Sequence, residues 1–259
     1  MGSCREGHGL GGAPSQSIAM SPNGSDMSIP VDRIGVVVPV HDEEQLLARC
    51  LEALCVAAHR VAVPVTVLVV LDACTDGSVA VAAEFFDRGV QAIVVDEKSV
   101  GRARAAGVTE LLRRHGRSGT WLATTDGDSA VPAHWLTAQV RHASAGARVI
   151  AGTVTIADWE DRSDVVRARA RKEYRAGLHR HVHGANLSFA AGAYCAAGGF
   201  GSVPCHEDVQ LVDAFRANGE PIAWVTDIPV VTSSRRQARA PHGFASYLDG
   251  LEERQPKAM

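Results

Sequence analysis

The sequence predicts an α/β fold with a mostly parallel central sheet flanked by helices. Three observations carry that expectation. Short β-branched runs recur, as in Ile34, Val36, Val37, Val38 and Val40, which is the composition of strands buried on both faces. Segments of helical period separate these runs, which makes βαβ units and hence parallel pairing. Hydrophobic residues make up 46% of a 259-residue chain, enough to fill a sizeable core.

Residues 1–31 are rich in Gly, Ser and Pro and poor in large apolar side chains. They cannot offset the entropy of being ordered, so a disordered tail is expected there and a single domain over 32–259. Order begins with the strand Ile34–Val40. From Glu43 the spacing of Leu46, Leu47, Cys50, Leu51, Leu54 and Cys55 is helical, with Asp42 and Gln45 placed to form a capping box. Val65–Leu71 is the second strand, followed by a turn and a helix carrying Val79, Ala82, Ala83 and Phe86, with Asp76 or Ser78 at its cap. Gln91–Val95, the helix Val100–His115 and the strand Thr120–Thr125 complete a third and fourth unit. Another helix follows Pro132, then a strand over Arg148–Ile156. Beyond it the pattern loosens into Arg-rich and Gly-rich segments, with a helix from His206 to Asn218 and a strand-like Pro229–Val231.

Composition removes several function classes. With 26 basic and 29 acidic residues and a net charge of −3, no global field draws the protein to nucleic acid or to an anionic membrane. The six cysteines form no CxxC pair and no metal-ligand spacing, so reduced thiols in a cytoplasmic protein are expected. No apolar stretch approaches the roughly 20 residues of a membrane span, and the N-terminus lacks the order of a signal peptide. One run stands apart: between Arg162 and His183 there are seven Arg or Lys against two acids. It reads as a solvated helix face, a site for a phosphorylated acceptor, or a peripheral membrane patch.

The ligand edge of a parallel sheet is its carboxyl end, and three polar loops fall there. Thr124-Thr125-Asp126-Gly127-Asp128-Ser129 closes the fourth strand. Asp-Gly-Asp is ordinary turn chemistry. At the end of a buried strand, its two carboxylates equally suit oxygen ligation of a hard divalent cation that also holds phosphate. Leu71-Asp72-Ala73-Cys74-Thr75-Asp76-Gly77-Ser78 follows the second strand, where a carboxylate can accept hydrogen bonds from a base or ribose. Pro39-Val40-His41-Asp42-Glu43-Glu44 closes the first. Downstream, Glu207-Asp208 either begins a helix, whose first turn favours acids, or supplies a proton acceptor.

These loops, in this order, resemble the GT-A glycosyltransferases of family 2. Val38-Pro39-Val40-His41-Asp42-Glu43, Leu71–Ser78, Gly101-Arg102-Ala103-Arg104-Ala105-Ala106-Gly107 and Asp126-Gly127-Asp128 match its motifs. Gly184-Ala185-Asn186-Leu187-Ser188-Phe189, Gly198-Gly199-Phe200 and His206-Glu207-Asp208 continue the likeness, which covers about residues 33–240. Leu71 stands where the family often has Asp, and Ala105 where it usually has Asn, so the nucleotide base is left open.

The resemblance implies a nucleoside-diphosphate sugar donor, a hydroxyl acceptor that is a small molecule, a glycan or lipid-linked, and Mg²⁺ or Mn²⁺ as cofactor. It implies that Pro39, His41 and Glu43 line the nucleotide pocket, that Asp72 meets the base, and that Arg104 approaches the base or phosphate. Asp126 and Asp128 would hold ribose and metal, and Asp208, with Glu207 as second choice, would act as general base in an inverting transfer. Arg235 and Arg236 could fold over the diphosphate, and His242 could complete the metal shell or lie in a surface loop. Competing activities lack their signatures. The first turn has no glycine for a dinucleotide fingerprint or a triphosphate loop, and neither a GxSxG elbow nor a supported Cys/His pair is present. A non-catalytic sugar-nucleotide-binding or scaffold protein of the same fold is the alternative.

Overall fold

In the computed structural model the described residues are 30–156, 159, 167, 182–203 and 205–233. They form β1 (Arg33–Val40), α1 (Leu47–Arg60), β2 (Val65–Asp72), α2 (Ser78–Ala83), β3 (Val90–Val95), α3 (Val100–His115) and β4 (Thr120–Thr124). α4 (Trp135–Ser144), β5 (Val149–Ile156), β6 (Leu187–Ala190), α5 (Ala191–Ala196), α6 (Glu207–Ala217) and β7 (Ile222–Thr232) follow. The described strands make one seven-stranded sheet in the order β3-β2-β1-β4-β6-β5-β7. β1 lies parallel to β2 and β4, β2 to β3, and β5 to β7; β6 runs antiparallel to both β4 and β5. The sheet is therefore mostly parallel, as expected.

The chain steps from β1 outward to β2 and β3, then returns to the other side of β1 for β4. Right-handed crossovers make that reversal send α3 to the face opposite α1 and α2. On its own face α3 approaches the sheet closely, because it presents glycine. A Cβ on Gly107 would lie 2.5 Å from Val37 Cγ1 and 2.8 Å from Val70 Cγ2. In return Gly35 of β1 makes room for Leu111, whose Cδ1 would be 2.7 Å from a Cβ there. The helix starts at a Ser99 side-chain cap and stops at Gly116, where φ is 72° and only glycine is unstrained. α1 packs beside α2 and α4. Trp121 and Trp135 are fully buried in the core, and their indole N–H groups reach Gln139 Oε1 and Asn186 Oδ1.

Several readings from sequence need correction. The capping box at Asp42 does not form: α1 begins at Leu47 without a side-chain cap, and Asp42, at φ 54°, turns its carboxylate to the loop after β2. The cap of α2 is Gly77, without a side-chain bond, and not Asp76 or Ser78; the helix ends at Ala83, so Phe86 lies in the 3₁₀ turn Phe86–Arg88 and is exposed. β6 goes unseen in the sequence, because four buried residues carry no periodicity. β7 extends well beyond Pro229; it is an edge strand with a register shift opposite Gly152 and Val154, which is where a strand tolerates proline.

Among the described residues Cys50, Cys55, Cys74, Cys195 and Cys205 are free thiols. No helix among the described residues is long and apolar enough to cross a membrane.

Candidate functional site

The order of strands reverses between β1 and β4, and in an open α/β sheet the crevice at the carboxyl ends of such a pair is where ligands bind. The loops leaving these strands meet there. A Cβ on Gly127 would sit 3.0 Å from Val40 Cγ2, 3.3 Å from Glu43 Cγ and 3.5 Å from the Pro39 carbonyl oxygen. His41 Nδ1 lies 2.7 Å from the Asp72 carbonyl oxygen, which draws in the loop after β2. The three strand tips thus converge. Beneath them Cys50 donates to the Asp126 carbonyl oxygen at 3.4 Å. Burial, and then the charges of Asp128, Asp126 and Glu43, push its thiol well above the ordinary cysteine value. Three carboxylates therefore share one region.

Several acids at this edge hold the loops together. Asp42 Oδ1 accepts from the Thr75 and Asp76 amides at 2.6 and 3.2 Å. Asp76 accepts from the Glu44 and Ser78 amides, each at 2.9 Å. Glu44 Oε2 accepts from the Gly77 amide at 2.8 Å, and the Glu43 amide donates to Ser78 Oγ at 2.7 Å. This reciprocal lacing locks the β1 and β2 loops in register, and it bears out a structural role for Asp76. Asp72, buried, accepts from the amides of Glu97 and Lys98 at 2.7 and 2.9 Å and from Ser99 at 3.1 Å. Its side chain organises the loop that launches α3. Asp42, Cys74 and Asp76 also lie close enough to share an ion. Their carboxylates already accept amides, however, and the thiol donates to the Val40 carbonyl oxygen.

Asp126 and Asp128 meet side chains at this edge, Arg104 for the first and Ser129 and Thr232 for the second. The Asp126 side chain is 36% exposed, and its Oδ1 pairs with Arg104. Asp128 Oδ1 lies 2.9 Å from Ser129 Oγ and 3.4 Å from Thr232 Oγ1, at the end of β7. Two hard carboxylates at a partly exposed strand tip, with Glu43 adding charge, are a donor set that fits Mg²⁺ or Mn²⁺. Ser129 and Thr232 are contributors that sequence reasoning missed; they are ordinary hydroxyl residues with no motif to mark them.

Opposite this pair stands α6. Arg104, on the first turns of α3, is buried, and its Nη1 and Nη2 form ion pairs with Glu207 and Asp126 respectively. Burial works against the guanidinium, but Asp126, Glu207 and Asp208 together hold its pKa above the ordinary arginine value. Burial also pushes the Glu207 carboxyl up, against the pull of Arg104. Glycines create the space: a Cβ on Gly184 would lie 2.6 Å from the Arg104 guanidinium, and one on Gly101 would lie 2.9 Å from Glu207 Cγ. Gly184 further donates its N–H to Asp208 Oδ2 at 2.7 Å and accepts from Thr124 Oγ1 at 2.6 Å. Asp208 Oδ1 accepts from the Val209 amide at 2.8 Å. Asn186 is a core residue: Nδ2 donates to the carbonyls of Thr153 and Ile228, both at 2.8 Å.

Pro39, His41, Glu43, Asp72, Arg104, Asp126, Asp128, Glu207 and Asp208 thus gather on one edge of the sheet. Arg104 faces carboxylates there. Arg235, Arg236 and His242 lie outside the described residues, as does most of the basic run 162–183.

A family model for glycosyl transferase family 2 matches residues 35–197, more than half of the chain. No curated protein matches the sequence. Among solved structures, S. aureus TarS 1–349 in complex with UDP-GlcNAc is similar with a TM-score of 0.61 at 12% identity, over 82% of this chain and 61% of that one. The chain therefore spans about three fifths of that TarS fragment. The mannosyltransferase PcManGT from Pyrobaculum calidifontis, in complex with GDP-Man and Mn²⁺, has a TM-score of 0.59 at 18% identity, over 88% of this chain and 70% of that one.

Proposed function

Because this chain belongs to glycosyl transferase family 2 and has the GT-A fold, we propose that it moves a sugar from a nucleoside-diphosphate donor to a hydroxyl acceptor. The observation that carries this reading is the opposition of two acidic groups across one crevice. Asp126 and Asp128 stand at the β4 tip, and Glu207 and Asp208 stand at the start of α6, with Arg104 between them. A second family feature supports it: the structures of similar fold were solved with UDP-GlcNAc and with GDP-Man and Mn²⁺.

We assign Asp128 and Asp126 to a divalent cation, Mg²⁺ or Mn²⁺, which when bound would neutralise the charge growing on the departing nucleoside diphosphate. Ser129 and Thr232 then orient Asp128. Pro39, His41 and Glu43 are assigned to the nucleotide pocket, Arg235 and Arg236 to the diphosphate, and His242 to the metal shell. Asp208 is the proton acceptor for the incoming hydroxyl, giving an inverting outcome that NMR of the product anomer reads directly. Its oxygens accept amides from Gly184 and Val209, yet a carboxylate offers about four lone-pair sites and can take one more donor. That double engagement is the one observation favouring the second reading, a sugar-nucleotide-binding protein without turnover.

We further propose that residues 32–259 form one domain, with 1–31 outside it, that the protein works in the cytoplasm, and that the basic run 162–183 meets a phosphorylated acceptor or a membrane surface.

The test is nucleotide release or sugar transfer across UDP-, GDP- and dTDP-sugars with Mg²⁺ or Mn²⁺. Release with one of them is expected; none with any would leave the binding-only reading. Asp128→Ala should abolish metal-dependent nucleotide binding in calorimetry and leave the fold intact, and unchanged affinity would remove the metal role.

A further inference from the structure

We infer that Arg104 is a positioning residue: its buried guanidinium ties the donor-side Asp126 to the acceptor-side Glu207, and so fixes Asp208 across the crevice from the Asp126–Asp128 pair. The inference rests on the transferase reading above.

Four observations meet at this side chain. Its two terminal nitrogens go to carboxylates on different elements, the β4 loop and α6, instead of forming a fork on one. Its Nε is buried and, among the described residues, has no hydrogen-bond partner, so the orientation is dictated by the two acids at the expense of a third donor. Gly101 and Gly184 leave open the volume that Glu207 and the guanidinium fill. Gly184 also binds Asp208 through its N–H, so the loop packed on the Arg104 guanidinium is the loop that holds the proton acceptor. A buried ion pair contributes little net stability against its desolvation, whereas a planar guanidinium between two fixed acids sets their separation. Glu207 is thereby engaged as a counter-charge, which leaves Asp208 for proton transfer. Lysine, a single point charge, can meet one acid and not bridge both.

The test compares Arg104→Lys with the parent chain in two measurements, turnover at saturating substrates and nucleoside-diphosphate affinity by calorimetry, with circular dichroism as the control for folding. Turnover should fall about 100-fold, the penalty of an approximately 1 Å misplacement. Nucleotide affinity should stay within about threefold, because a group acting through others leaves ground-state binding alone. Turnover within about threefold of the parent would overturn the inference. So would affinity falling in step with turnover, since Arg104 would then contact the nucleotide.

If Arg104→Lys does not fold, Glu207→Gln takes its place, because it keeps the shape and an acceptor oxygen. It should lose about tenfold in turnover while Asp208→Asn loses about 1,000-fold or more; the reverse order would overturn the division of labour. If the parent chain releases no nucleotide from any donor, the transferase reading fails by itself. The tie is then read by denaturant unfolding of Arg104→Lys, Glu207→Gln and the double variant: coupling between them sustains it, and additivity overturns it.

Discussion

Replacing Gly184 with alanine isolates the space that the Arg104 guanidinium needs. The backbone at 184 is not left-handed, so an alanine meets no conformational strain there. Only its methyl matters. That methyl would lie 2.6 Å from Cζ, Nη1 and Nη2 of Arg104, against an ordinary contact of 3.4 Å or more, so the guanidinium must retreat by about 0.8 Å. It cannot swing freely, because Glu207 and Asp126 hold it from two sides and the site is buried. Overpacking of this kind costs about 1–3 kcal/mol. For a chain of this size, about 2 kcal/mol lowers the thermal midpoint by roughly 4–8 °C.

Gly192→Ala is the matched control. It lies in α5 and is exposed, and a Cβ there meets only Arg148 Nη2 at 3.5 Å. Lower unfolded-state entropy should then stabilise it by about 0.4–1 kcal/mol. Calorimetric unfolding of the two variants should therefore move in opposite directions, and turnover should fall in Gly184→Ala alone. Equal stabilisation of both would refute the argument that glycine is required at 184 for the guanidinium.

Three further outcomes follow from the same geometry. Asp72→Ala removes the acceptor of three amides in the loop before α3 and should cost about 2–3 kcal/mol in urea unfolding; an unchanged midpoint would mean that water satisfies those amides as well. Asn186→Asp sets a carboxylate against two carbonyl oxygens in the core, and should cost about 3 kcal/mol or more, read by the same assay. Asp227 is partly desolvated, which raises its pKa, but its bond and charge contact with His142 and the Arg141 charge outweigh this and hold it below the ordinary value of 3.8. A depressed carboxylate stabilises the fold above its unfolded pKa and loses that contribution as pH falls through the folded one. Asp227→Asn should therefore lower stability at pH 7 by less than about 1 kcal/mol, as befits a half-exposed pair, and should converge on the parent as pH falls through the folded pKa. A difference that persists below that pKa would assign the effect to packing.

Much of this arrangement was legible in the chain. The β-branched runs at Ile34–Val40 and Val65–Leu71 marked parallel strands because burial on both faces leaves no polar side to write. The helical period over Val100–His115 marked α3, and the structure closes it with the Ser99 cap and Gly116. β6 was not, and with it went the antiparallel pairing that joins β4 to β5: four residues are too few to show a period, and pairing with residues 36 to 69 positions away leaves no local trace.

The acids at the ligand edge show why a site is harder to read than a fold. Asp42, Asp72, Asp76, Asp126 and Asp128 all sit at or just beyond strand ends and look alike in sequence. What separates them is whatever amide or cation arrives from elsewhere in the chain. Asp72 is claimed by amides 25 to 27 residues on, and Asp42 by those 33 and 34 residues on. Such assignments depend on loop geometry that no spacing rule encodes. The β4 loop lies against β1 through Gly127, and its two carboxylates meet side chains that spacing does not announce either: Arg104 for Asp126, and Ser129 and Thr232 for Asp128. That arginine is the instructive case. At position 104 its charge suggests a phosphate contact, but the topology brings α3 and α6 together over two glycines and surrounds it with acids of its own chain. A guanidinium matched by two carboxylates of its own chain carries the same letter in the sequence as one that faces solvent, so charge at position 104 could not announce the internal pairs.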